Sequence, residues 1–177
     1  MEYDEAKYLF DNPKTLLGPL KWTEKSKSGR KQPCLESKVR LQGSSVPKGA
    51  IFRISGHPMK LTSFTFQLEV LNSKTRSGSP HITLYRLDVC PLDAHRNYSG
   101  KNKTLLNKRF EIGETHEHDF RHNFSKGECL SPKSSLMADS VPETVCDYFT
   151  GINFACTRLN IQNGSSIPTP PGQGELI

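Results

Sequence analysis

The chain has 177 residues, a length that favours one domain over two. Hydrophobic residues make up 34% and charged residues 24%, which is too apolar for a disordered chain. Lys+Arg 24 against Asp+Glu 18 gives a net charge of +6, an excess that favours polyanionic partners. No apolar run approaches the roughly 20 residues needed to span a bilayer, so no membrane partner is expected.

Five cysteines, Cys34, Cys90, Cys129, Cys146 and Cys156, form no C-x-x-C pair. An odd count argues against a closed disulfide framework, and the absence of close pairs argues against a zinc ribbon. Reduced thiols in a cytoplasmic protein are the expectation. The acidic start "MEYDEAKYLF" does not read as a signal peptide. Asn97, Asn102, Asn123 and Asn163 open N-x-S/T triplets, which read as polar-loop composition in that setting.

In chain order, Tyr3, Ala6, Leu9 and Phe10 recur at helical spacing and predict a short amphipathic helix over residues 2–11. The basic stretch "TEKSKSGRKQP" from Thr23 reads as a solvated loop or a phosphate-gripping arm. The period then becomes two. "SKVRLQ", "GAIFRIS", "LTSFTFQLEV" and "HITLYRLDV" predict strands with alternate residues on one apolar face, joined by short polar connections. Residues 91–108 read as loop, and "RFEIGETHEHDF" as one or two further strands. Ser140, Pro142 and Glu143 have the spacing of a helix start, with Val145, Phe149 and Ile152 following at i, i+4 and i+7. The sum is an α+β domain over residues 1–162, a mostly antiparallel meandering sheet with a helix near each end. Residues 163–177 read as a flexible C-terminal tail.

The chemistry concentrates in "GETHEHDFRHNF", where His116, His118 and His122 fall among acids and Arg121. Imidazoles two apart on a strand face the same way, about 7 Å apart along the chain. They suit a shared metal, with His122, Asp119 or His95 as a third ligand, but H-x-H alone is a weak metal signal. Metal-free phosphodiester cleavage asks instead for a base, an acid and a cationic phosphate clamp. His95, His116 and His118 supply groups that titrate near neutral pH, and Arg86, Arg96 and Arg121 supply guanidinium forks. Two surface histidines on a wet strand are the plain alternative. For Arg86 and Asp88 it is a salt bridge at a strand end.

"HITLYRLDVCPLDAHRNYSGKN" followed by "GETHEHDF" resembles a bacterial domain family with an R-L-D, H-x-N, H-x-H order, itself similar to the TumE-like toxins of toxin–antitoxin pairs. The matching positions are Arg86, Leu87, Asp88, His95, Asn97, Gly100, His116 and His118. The lysine-rich loop between His95 and His116 is long for the pattern, and Asp119 stands where an aromatic is usual. The resemblance implies a cytoplasmic RNase toxin or defence protein, with Asp88, His95, His116 and His118 as catalytic residues. RNA and a cognate antitoxin would be its partners, and it would need no cofactor or metal. The expectation from another class is a non-enzymatic, anti-CRISPR-like inhibitor from phage or a mobile element, binding a host nucleoprotein complex. For either, Asp88 should meet His116 and His118 if their strands are neighbours, with His95 closing over them.

Overall fold

A computed structural model describes residues 1–25, 34–58, 60–71, 81–131 and 137–171. It gives the expected α+β architecture. Helix α1 is Tyr3–Asp11, and the strands are β1 (Thr15–Leu17), β2 (Trp22–Lys25), β3 (Cys34–Gln42), β4 (Ile51–Gly56), β5 (Phe64–Leu71), β6 (His81–Val89), β7 (His95–Arg96), β8 (Arg109–Phe110), β9 (His116–Asp119) and β10 (Ala138–Ser140). Helix α2 is Tyr148–Arg158.

The main sheet is antiparallel in the order β1, β3, β4, β5, β6, β9, β10, with β2 also lying along β3. A separate hairpin of β7 and β8 leaves the sheet between β6 and β9. One face is apolar because the period-two alternation puts Val39, Phe52, Ile54, Phe66, Leu68 and Leu87 on it, all buried. Both helices contribute buried side chains to this core, Ala6, Leu9 and Phe10 from α1 and Ile152 and Ala155 from α2. Residues of alternate phase make the second, polar face. There the strand register sets Glu36, Ser55, Thr65, Asp88 and His116 in one row, and Lys38, Arg53, Gln67, Arg86 and His118 in the next.

Lys14 is almost wholly buried, at the point where the two helices end. Its ammonium donates to the carbonyls of Phe10, Asn12 and Leu159, so one cation serves the C-terminal ends of α1 and α2.

The structure corrects three expectations. Ser140 lies in β10 rather than capping a helix, and α2 begins later, at Tyr148. Asp147 is its N-cap: its carboxylate accepts from the Thr150 amide at 2.8 Å, and the Thr150 hydroxyl bonds back to the Asp147 backbone. Phe149 consequently faces solvent. Residues 163–171 are also docked: the Asn163 side chain bonds both backbone groups of Leu16, and the Pro168 carbonyl accepts from Trp22 and Tyr148. Most of the basic stretch (residues 26–33) and the last six residues lie outside the described residues.

The five cysteines are free thiols. No helix among the described residues is long and apolar enough to cross a membrane. Asn97, the first residue of an N-x-S triplet, is wholly buried and uses its side chain internally.

Candidate functional site

Asp88 sits on β6 directly opposite His116 of β9, and Arg86 opposite His118. Because β9 is antiparallel to β6 with no bulge between them, all four side chains share the polar face. The Asp88 carboxylate is the hub. Its Oδ2 lies 3.6 Å from His116 Nε2 and 3.4 Å from His118 Nε2. Its Oδ1 accepts from the Thr65 hydroxyl at 2.8 Å, and Arg86 Nε bridges both oxygens at 2.9 and 2.8 Å. Asp88, His116 and His118 are 4%, 2% and 3% exposed, so this is an interior cluster although it lies on the polar face.

The β7–β8 hairpin makes the cover. Phe110 packs on the His116 ring at 4.8 Å between centroids, and His95 lies 5.4 Å from His116 and 4.9 Å from His118. Asn97 pins this cover to the sheet. Its carboxamide oxygen accepts from the Ala138 amide at 2.7 Å, and its nitrogen donates to the carbonyls of Leu105 and Ala138. The same oxygen is 3.0 Å from His95 Nε2, which must therefore be the protonated nitrogen of that ring. Half-buried His95 also lines a surface groove of about 550 Å³ with Arg96, Tyr98, Ser99 and Arg109. Arg96 stacks on the Tyr98 ring, 5.6 Å from its centroid, and Arg109 pairs with Glu111.

The charges in the cluster follow from burial and pairing. Burial alone would raise the Asp88 carboxyl, but the His118 ring and the Arg86 guanidinium outweigh it and hold it well below the usual carboxylate range. Burial draws His118 down to about 4 against the pull of Asp88, and moves His116 in the same direction. Both buried rings therefore favour the neutral form. His116 Nδ1 is 2.8 Å from the Glu114 carbonyl, which can only accept, so the proton sits on Nδ1 and the Nε2 lone pair faces Asp88. His118 Nδ1 is buried with no hydrogen-bond partner among the described residues.

Of the residues singled out from sequence, the structure brings Arg86, Asp88, His95, His116 and His118 together, and sets Arg96 at the groove beside them. Arg121 is elsewhere. A 3₁₀ turn at Phe120–His122 follows β9, and Arg121 folds back on Asp119, reaches Asp11 and lies over the Phe10 ring at 4.3 Å. Asp119 and Glu117 face the helices, where Arg158 pairs with both, so Asp119 is no third ligand. His122 meets Asn102 instead. Sequence reading missed Thr65, Tyr98 and Arg109. Thr65 carried a signal, since it lies in the polar phase of "LTSFTFQLEV", but its opposition to Asp88 depends on register.

The Asp88, His116 and His118 ligand atoms lie within 4.8 Å of one another, a spacing that a metal ion can bridge. Comparison with known proteins finds no matching family, no matching curated protein and no matching solved structure.

Proposed function

We propose that the chain cleaves RNA where the Asp88–His116–His118 cluster meets the arginine-lined groove, in the toxin or defence setting that the R-L-D, H-x-N, H-x-H order suggests. The observation that carries this reading is the position of His95. It is the half-buried imidazole between a closed Asp–His cluster and an open groove flanked by Arg96 and Arg109.

The groove offers what an RNA strand needs. Guanidinium groups match phosphate oxygens, and the ring of Tyr98, 78% exposed, offers a stacking face for a base. A ribose 2′-hydroxyl attacks the adjacent phosphorus once a base takes its proton, and the 5′-oxygen leaves with a proton from an acid. His95 is the group placed to exchange protons with a substrate in the groove. Its Nε2–H is held by Asn97, which fixes the tautomer and the ring plane. The Asp88–His116–His118 cluster packs directly against that ring and acts with it as one unit, so substitutions in it should lower cleavage as well.

The test is a time course with end-labelled single-stranded RNA. His95→Gln should slow cleavage by roughly 100-fold or more while the melting temperature stays near that of the wild type. A 2′-deoxy residue at the cut position should block that cut. Cleavage by His95→Gln at the wild-type rate would overturn the role of His95. RNA or a nucleoprotein bound without any turnover would favour the inhibitor reading.

A further inference from the structure

We propose that Asp88, His116 and His118 form a binding site for one divalent first-row transition cation, and that zinc fits the donor set best. The inference stands on the geometry of the three side chains and does not depend on RNA cleavage.

The cluster holds an unfavourable contact that a cation would resolve. The Glu114 carbonyl fixes the proton of His116 on Nδ1, so an imidazole lone pair points at a carboxylate oxygen 3.6 Å away. Two acceptors facing each other in a buried setting repel unless positive charge lies between them. Arg86 Nε donates to the carboxylate, 2.9 Å from Oδ1 and 2.8 Å from Oδ2, and makes no hydrogen bond to His116 among the described residues.

The spacing of the ligand atoms also fits. Ligands held about 2.0–2.1 Å from a tetrahedral zinc stand roughly 3.4 Å from one another. Asp88 Oδ2 is 3.4 Å from one imidazole Nε2 and 3.6 Å from the other. Small rotations of the rings complete the set, since the three ligand atoms already lie within 4.8 Å.

The groups around the three side chains suit a metal site too. A metal-binding histidine commonly donates its other N–H to a carbonyl or carboxylate, as His116 does to Glu114. Asp88 is held by Thr65 and Arg86 in the same way. Among the described residues His118 has no matching acceptor at Nδ1, which makes it the weaker of the two imidazole ligands. Two imidazoles and one carboxylate suit zinc, iron or nickel rather than magnesium or calcium, which prefer oxygen. Three protein ligands leave a fourth position. That is the count of a catalytic rather than a closed structural site, and the His95 ring is the neighbouring group, 5.4 and 4.9 Å from the two imidazoles. If RNA cleavage holds, metal-assisted chemistry replaces the metal-free chemistry expected from sequence.

Chelator-treated protein titrated with Co2+ should bind one equivalent and show a visible spectrum of nitrogen and oxygen ligation, reversed by one equivalent of Zn2+. His116→Gln and His118→Gln, checked for folding by circular dichroism, should each weaken binding by at least about 100-fold. His57→Gln and His81→Gln should leave it unchanged. In the unaltered chain, Zn2+ should shift the ring-nitrogen resonances of two histidines, an arm that needs no variant to fold. An intense thiolate charge-transfer band, no saturable binding, or wild-type affinity in folded His116→Gln would each overturn the site. One bound metal with no RNA cleavage would retire the cleavage reading and leave this one standing. Cleavage by protein that binds no metal would do the reverse.

Discussion

Asp88→Asn should lower RNA cleavage by about a thousandfold, the scale expected when one member of a group of residues acting as a unit is removed. The carboxylate is the shared partner of Thr65, Arg86, His116 and His118, so no other single side chain touches as much of the cluster. Asparagine keeps the shape but loses the charge. Its amide nitrogen would point hydrogens either at Arg86, which presents hydrogens of its own, or at His116, whose lone pair would then accept from a neutral amide where a carboxylate stood. Stability should fall by roughly 2 kcal/mol, the cost of leaving a buried polar group without its partner, and no more because Arg86 is partly solvated. Cleavage rate and melting temperature measured on one preparation separate the two effects. A stable Asp88→Asn protein that cleaves within a factor of a few of the wild type would remove the cluster from the chemistry.

Gly56→Val should destabilise the protein strongly, and it acts on the fold alone. Gly56 ends β4 directly opposite Phe64, whose ring lies over the glycine. A Cβ at residue 56 would stand 2.3 Å from Phe64 Cδ1 and 2.7 Å from Cγ, too close for any real contact. Moving Cγ requires turning the whole ring about the Cα–Cβ bond, against the aromatic neighbours it packs on. Phe64 in turn packs on Tyr148 at 5.0 Å and Trp22 at 6.3 Å, which hold α2 and β2 to the sheet. Overpacking of this kind costs about 3 kcal/mol, or roughly 6–12 °C in melting temperature for a domain of this size. A melting temperature within about 2 °C of the wild type would show that the ring yields freely.

The strands that carry one buried face were legible from sequence, because alternation is strong wherever every second side chain must leave water. Residues 34–42 show it most cleanly, while 81–89 changes phase at Leu84–Tyr85, where a bulge shifts the register against the neighbouring strand. The same alternation put Arg86 with Asp88, and His116 with His118, on common faces. That β6 and β9 are neighbours was not legible, because the chain between them leaves the sheet and returns through the β7–β8 hairpin. The return is fixed by Asn97, whose carboxamide pairs with the backbone of Ala138 across 41 residues of sequence. No local pattern encodes such a long-range bond.

Two misreadings have local causes. Ser140, Pro142 and Glu143 carry the spacing of a capping box, but Ser140 is taken up by pairing with His116 across β10 and β9, and Asp147 with Thr150 caps the helix instead. Arg121 stands near the histidines in sequence, yet the 3₁₀ turn after β9 returns it to Asp119 on the helix side. Adjacency along the chain says little about side-chain position once the period of two is broken.

The most direct test of the account is RNA cleavage by a chain carrying both His116→Ala and His118→Ala, compared with wild type at equal concentration. Far-ultraviolet circular dichroism and a cooperative melt establish that both are folded. The account predicts that the wild-type chain cuts single-stranded RNA and that the folded double variant does not. A folded double variant that cuts RNA as fast as the wild type would contradict it.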